Sequence, residues 1–261
     1  MQYTTKQIEK WLEQNCQSRQ ALNTKQMLRE SAEEWIGEML EEGDLRRLTD
    51  QYISLAHHYA DEGEFLLAVD RDFGVAKRRY YLAALASRLV CRLAEAGFPH
   101  SLRDGAGPYD FKKHNLNFSK NAILANAPEL ARAIAGEDTA EGMLVRGEDD
   151  LARRSLPQAP EQIGDCLRQA LWGVAHGNRK WLDRGLQKRL GELRRQGARC
   201  LAPVDSQGLA VVRLAQQRGM ACGVGAFELP WQLLDDTPAD SAGLVLPYEA
   251  EVQKILEEKQ R

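Results

Sequence analysis

Apolar residues recur at intervals of three and four along most of this chain, the spacing that places them on one face of an α-helix. The pattern begins with Ile8, Trp11 and Leu12, which predict a first helix. Three longer apolar stripes follow: Leu28, Ala32, Trp35, Ile36, Met39 and Leu40; Tyr52, Leu55, Ala56 and Tyr59; and Leu82, Leu85, Ala86, Leu89, Val90 and Leu93. Each stripe predicts an amphipathic helix.

Residues that start and stop helices separate these stripes. Gly43 stands where a left-handed C-cap residue is expected, and Asp44 can cap the next helix. Residues 61–63, two acidic residues and a glycine, predict the end of that helix. Gly97 predicts the end of the following one. The spacing therefore favours antiparallel helices joined by short turns.

Regular patterning returns in the C-terminal part, from Ile163 onward. Gly177 and Asn178 suit a C-cap followed by an N-cap, and they predict a tight helical hairpin. Asp205 opens a further helix that Gly219 closes. The C-terminal part is thus predicted to be as helical as the N-terminal part.

The middle of the chain is irregular. Residues 104–108 read as a loop, and residues 136–160 mix glycine, proline and acidic residues. No fixed repeat period is visible. We therefore expect an all-α protein, an irregular array of antiparallel helical hairpins with negligible strand. Either residues 1–261 form a single domain, or two coupled halves (about 1–100 and 161–261) are joined by the irregular segment 101–160.

Charge, the length of apolar runs and the N-terminal pattern together indicate which partners and which cellular compartment to expect. The chain has 35 basic and 38 acidic residues, a formal charge of −3, so nothing attracts it in bulk to nucleic acid or anionic lipid. Apolar runs such as residues 80–86 fall short of the roughly 20 residues that span a bilayer. The N-terminus lacks the pattern of a secretory signal. We therefore expect a cytosolic protein that binds neither nucleic acid nor membrane.

The five cysteines are dispersed and form no C-x-x-C pair. Their distribution predicts reduced thiols rather than a disulfide framework or a zinc site.

Two histidines carry the most suggestive chemistry in the sequence. His57 and Asp61 are four residues apart, so both could reach one divalent cation from a helix face, and His58 repeats this arrangement with Glu62. A metal enzyme needs a third ligand and a general base, and no further histidine lies at a matching offset. The alternative interpretation is a solvated helix end, and we predict no metal site.

Other catalytic motifs are missing from the sequence. It contains no G-x-S-x-G, no S-x-x-K and no phosphate-binding G-x-x-x-x-G-K-[ST]. We therefore predict no catalytic residue, no cofactor and no enzymatic activity.

The C-terminal third carries a family resemblance. Leu171-Trp-Gly-Val-Ala-His-Gly-Asn178 leads into Trp181-Leu-Asp-Arg-Gly-Leu186, and Gly208-Leu-Ala-Val-Val-Arg-Leu-Ala-Gln-Gln-Arg-Gly219 leads into Phe227-Glu-Leu-Pro-Trp-Gln-Leu-Leu234. This succession resembles the immunity protein 49 family of bacterial polymorphic toxin systems. The resemblance covers residues 163–234 and rests mainly on packing and capping residues. Many members have Ser and Tyr before the Leu-Pro, where this chain has Ala226 and Glu228.

The resemblance implies an all-helical protein that protects the producing cell by binding a cognate toxin. Such proteins act by binding, so no catalytic residue is carried over. Toxin domains of this kind are often basic nucleases or deaminases, which an acidic surface would attract. The candidate partner-binding residues are Asp61, Glu62, Glu64, Glu148, Asp149 and Asp150.

Two other functions are compatible with the sequence. The first is a helical adaptor or scaffold that binds peptides in a groove between helix pairs. The second is a metal-dependent hydrolase built on the paired histidines and the carboxylates that follow them.

Overall fold

The computed structural model describes residues 5–98, 116–136, 138–196, 204–226 and 228–260 of the chain. These residues form eleven α-helices, two short 3-10 turns and their connections, and none of them lies in a strand. The helices are α1 Thr5–Glu42, α2 Leu45–Val69, α3 Phe73–Glu95, α4 Leu116–Leu124, α5 Pro128–Ile134, α6 Ala140–Arg146, α7 Asp149–Ser155, α8 Cys166–Ala175, α9 Arg179–Gln196, α10 Ser206–Gln216 and α11 Glu249–Gln260. The 3-10 turns are Pro160–Gln162 and Trp231–Leu234. The prediction of an all-α protein is confirmed.

Several helix ends lie where their capping residues predict. Gly43 has a φ of +70°, a conformation that costs glycine little because it has no Cβ, and it ends α1. The Asp44 carboxylate then accepts a hydrogen bond from the backbone N–H of Arg47, which caps α2. Gly177 at +63° and Asn178 make the corresponding turn between α8 and α9. Short turns therefore join both pairs of helices.

The structure differs from the sequence prediction in the first two helices. α1 is one continuous helix of 38 residues that covers both apolar stripes of the N-terminal region. The predicted end of α2 at residues 61–63 is wrong, because α2 continues to Val69. Gly63 allows close packing there, since a Cβ at this position would lie 3.2 Å from Cζ of Tyr80 in α3. A glycine that resembles a helix stop is thus a contact point between helices.

The middle of the chain is more regular than its composition suggests. Residues 116–155, all of which fall in the segment 101–160 expected to be irregular, hold α4 to α7. Pro128 occupies the first turn of α5, Thr139 caps α6, and Gly147 ends α6 with a φ of +79°. The predicted loop at residues 104–108 lies outside the described residues. Turn-forming residues in this region therefore mark the ends of short helices.

The buried side chains form one contiguous cluster from Ala32 in α1 to Leu256 in α11. α2 packs against α1 on one side and α3 on the other, while α10 packs against both α4 and α8. The α8–α9 pair is especially close, since a Cβ on Gly173 would lie 2.3 Å from the backbone nitrogen of Leu182. This arrangement fixes the N-terminal helices and the C-terminal hairpin around a shared core.

Cys91, Cys166 and Cys222 are free thiols, and the side chains of Cys16 and Cys200 lie outside the described residues. No helix among the described residues combines the length and the apolar character required to cross a bilayer.

Candidate functional site

The first candidate group of acidic residues lies on α2 and is tied into the fold. Asp61 forms an ion pair of 2.5 Å with Lys25 of α1. Glu62 has no exposed surface. Glu64, which is mostly buried, contacts Lys120 of α4. The structure thus brings these three carboxylates to helix interfaces and leaves none of Glu62 for a partner to contact.

Glu62 is the centre of a buried charge network that joins the first three helices. Nε of Arg29 in α1 lies 2.8 Å from one Glu62 oxygen, and Nε of Arg79 in α3 lies 2.9 Å from the other. Arg29 also donates to Glu33, which accepts a hydrogen bond from the Tyr59 hydroxyl. Both guanidinium groups lie 5.8 Å from the centre of the Tyr59 ring. Burial lowers the pKa of Arg29, but the hydrogen bonds that Arg29 donates to Glu33 and Glu62 outweigh this effect and raise that pKa above its usual value.

Glu64 belongs to a second polar cluster that sequence reasoning missed. The Ser206 hydroxyl, in the first turn of α10, donates to Glu64, and Nζ of Lys120 lies 2.9 Å from the Ser206 oxygen. Ser206 is buried and its proton is committed to Glu64, so the hydroxyl is not presented to a substrate. The cluster joins α2, α4 and α10. No sequence motif predicts this cluster, because Lys120 lies 56 residues from Glu64 and 86 residues from Ser206.

The second candidate group, at the start of α7, is also paired. Glu148 is held by Arg146 at 2.8 Å, and the hydrogen bond from Arg146 lowers the pKa of the carboxyl group. Asp149 binds Arg218, in the turn that follows α10, at 2.5 Å. Asp150 is largely exposed and lies 2.7 Å from Arg153 on the next turn. Of the six predicted residues, Asp150 therefore keeps the most surface for a partner.

A cavity of about 320 Å³ lies beside this group, between α4, α5, α6 and α10. Three arginines line it, which suggests an anion site at first sight. Each of them already contacts a carboxylate: Arg132 with Glu129, Arg146 with Glu148 and Arg218 with Asp149. Because these charges are compensated, the cavity has no evident preference for an anion.

The paired histidines do not converge with carboxylates on one point. Desolvation by burial lowers the pKa of both His57 and His58. The carboxylates expected beside them are engaged elsewhere, Asp61 by Lys25 and Glu62 by two arginines. Within the described ranges, no group of three or more His, Cys, Asp or Glu side chains could hold a metal ion. The histidines and the carboxylates have the i, i+4 spacing of metal ligands, but the carboxylate oxygens are already engaged in ion pairs.

The outward side of α1 is an accessible surface that sequence reasoning also missed. Three large apolar side chains project there: Met27 is 68%, Leu28 45% and Trp35 51% exposed. We call this surface the α1 outer face; its residues are Met27, Leu28, Glu30, Glu34, Trp35, Glu38, Glu41 and Glu42. All five of its carboxylates belong to exposed residues. The sequence has a glutamate at every fourth position from 30 to 42. This spacing keeps side chains on one side of a helix, so the acidic face could have been predicted from the sequence.

An open groove of about 550 Å³ lies between the start of α3 and the segment before the second 3-10 turn. Phe73, Leu229, Pro230 and Trp231 give it an apolar wall, with Arg71 beside them. Its size is within the range of small-molecule and peptide sites.

No protein-family model, curated protein or solved structure matches this chain.

Proposed function

We propose that this chain is a cytosolic immunity protein that binds a cognate bacterial protein toxin and neutralises it by blocking its active surface. The observation that carries the proposal is the order of elements in the C-terminal third. α8 and α9 form a tight hairpin through Gly177 and Asn178, α10 is followed by Gly219, and the Leu229–Pro230 pair leads into a short 3-10 turn. This is the order that the resemblance to the immunity protein 49 family implies.

The chemistry of the described side chains supports a binding role. The groups that could have served catalysis are engaged in contacts within the protein: Glu62 with two arginines, and Ser206 with Glu64 and Lys120. Large apolar side chains are instead exposed on α1. Exposed apolar groups among polar ones are typical of protein-binding surfaces.

The test is protection of cells from a toxin: each candidate toxin domain encoded beside the gene for this chain is expressed with and without the chain. We expect cells that express this toxin domain to stop growing, and to resume growth when this chain is co-expressed. The two purified proteins should elute from a gel-filtration column as one complex, with the toxin activity lost at equimolar ratio. Unchanged growth arrest together with separate elution would refute the proposal.

A second candidate function, a peptide-binding adaptor, is favoured by the groove beside Phe73 and Trp231. Grooves lined by aromatic side chains accept extended, proline-rich peptides in other folds. A random-peptide display should then select sequences whose binding is lost in Trp231→Ala and kept in Leu151→Ala, which removes an exposed apolar side chain from α7. Failure to select any sequence would exclude this role.

A further inference from the structure

We infer that the α1 outer face is the docking surface of this protein, and that its partner presents a protein surface rich in lysine and arginine with an apolar depression for Trp35. The inference rests on the proposed function, because it assumes that the partner is a protein that this chain neutralises. It goes further by naming the surface and the chemistry of the partner.

The apolar side chains of this face cannot be explained by the core of α1. Ala32, Ile36 and Met39 already pack into the hydrophobic cluster on the inward side of the helix. Trp35 projects away from them, with half of its surface exposed. Tryptophan is the residue type most enriched among those that dominate binding energy, and methionine adapts easily to the shape of a partner. Trp35 therefore has the character of an anchor, with Met27 about two turns earlier on the same helix.

The charges of the same face determine which partner fits. The basic residues of this part of α1 are turned to the interior, where Lys25 pairs with Asp61 and Arg29 pairs with Glu62. The outward carboxylates are left with little compensation: Glu30 contacts Arg29 at 3.3 Å and Glu42 contacts Arg47 at 3.6 Å.

The remaining three carboxylates of the α1 outer face lie close together along the helix. Glu34, Glu38 and Glu41 form no ion pair with any residue that the structure describes. They lie on adjacent turns of one helix and repel each other. A partner that brings positive charge to this surface removes that repulsion.

Charge also decides between the possible occupants. A second copy of this chain would place one row of glutamates against another, and nucleic acid or an anionic membrane would add phosphate to the same surface. Each of these contacts is repulsive. A basic protein surface is attracted at long range and aligned as it approaches. In the complex, lysine and arginine side chains of the partner would then surround the Trp35 ring, which the contact would bury.

A second aromatic side chain lies at the edge of this helix. Tyr248 packs against Gly37, where a Cβ would lie only 2.6 Å from the tyrosine hydroxyl oxygen. Gly37 therefore makes room for Tyr248 next to α1, and nearly half of the tyrosine stays exposed. The apolar surface offered to a partner thus continues from α1 to the start of α11.

The test uses a catalytically inactivated form of the neighbouring toxin domain and measures its binding kinetics to the full chain. We expect Trp35→Ala to weaken binding about 30-fold, the loss typical of a central anchor. We expect the triple variant E34Q/E38Q/E41Q to slow association about tenfold at low salt and to reduce the salt dependence of the association rate.

Two matched controls separate this surface from general effects. Leu151→Ala removes another exposed apolar side chain, and E161Q/E257Q/E258Q removes three exposed carboxylates, one from the first 3-10 turn and two from the last turns of α11. Both should bind as the wild type does. Amide hydrogen exchange in the wild-type complex should slow along residues 23–42. Because the substituted side chains are exposed, circular dichroism should show that all variants keep their helical content.

The outcomes distinguish the two proposals. If the wild type binds and protects, and the α1 variants bind within twofold of it without slowed exchange in α1, the docking surface is wrong and the immunity function stands. If the wild type neither binds nor protects, the immunity function fails and this inference fails with it. Equal losses in the α1 variants and in the matched controls would also overturn the docking surface.

Discussion

Arg29 of α1 and Glu62 of α2 are joined across their helix interface, with Nε of the arginine 2.8 Å from a carboxylate oxygen that solvent does not reach. The other oxygen lies 2.9 Å from Arg79 of α3. A buried charge is costly unless it is paired, so these contacts become a condition for packing the three helices together. Glu62 thus fixes the relative positions of the helices that carry the α1 outer face.

Replacing Glu62 with glutamine should destabilise the protein by about 3 kcal/mol or more, because two arginines lose a buried counter-charge. Urea unfolding followed by circular dichroism measures the change. Glu30→Gln is the matched control: it removes an exposed carboxylate that also contacts Arg29, and it should cost about 1 kcal/mol or less. Equal effects from the two substitutions would contradict the central role of Glu62.

Two glycines of α9 should respond in opposite directions to alanine. A Cβ at Gly185 would lie 2.5 Å from the backbone nitrogen of Ala170 in α8, so Gly185→Ala should force the hairpin apart and cost about 1–3 kcal/mol. Gly191 has no atom within 4 Å of such a Cβ, and Gly191→Ala should stabilise the helix by up to about 1 kcal/mol. Thermal unfolding of the two variants compares these signs. A Gly185→Ala protein as stable as the wild type would show that α8 and α9 are not in close backbone contact.

His57 and His58 on α2 predict a loss of stability in mild acid. Desolvation by burial lowers the pKa of His57 and His58; Asp61 opposes this effect, and Lys25 adds to it. The unfolded chain takes up protons near pH 6.5, where the folded protein still resists them, so acid favours the unfolded state. The free energy of unfolding should therefore fall as the pH is lowered from about 7 to 5.

The double variant H57Q/H58Q tests this assignment. Its free energy of unfolding should depend less steeply on pH between 7 and 5 than that of the wild type, in urea titrations at several pH values. His176→Gln, which removes a histidine stacked on Trp172, serves as the comparison. A wild-type slope that persists in the double variant would assign the acid sensitivity to other groups.

The geometry around the histidines also predicts the result of a metal titration. Lys25 and the two arginines occupy the carboxylates of Asp61 and Glu62, so a cation would have to break these ion pairs to bind. We expect isothermal titration with Zn²⁺ to show no saturable one-to-one binding. A one-to-one isotherm that disappears in H57A/H58A would instead support the metal-dependent hydrolase.

The sequence determined the helical class and many helix ends. Apolar spacing of three and four is a local property, and so are caps such as Asp44 and left-handed glycines such as Gly43 and Gly177. These features depend on residues within a few positions of each other. The row of glutamates at 30, 34, 38 and 42 was equally local, and it could have been found by the same spacing argument.

Tertiary structure decided which polar groups remain available. The sequence placed Asp61, Glu62 and Glu64 together as an acidic surface, but their partners lie on other helices, 33 residues away for the Arg29–Glu62 pair and 142 for Ser206–Glu64. Whether a carboxylate meets a partner cation or water depends on how helices pack, which no local pattern encodes. Gly63 is a second example. Its neighbours in sequence predict the end of a helix, whereas in the folded protein α2 continues through Gly63 and the Tyr80 ring packs against it.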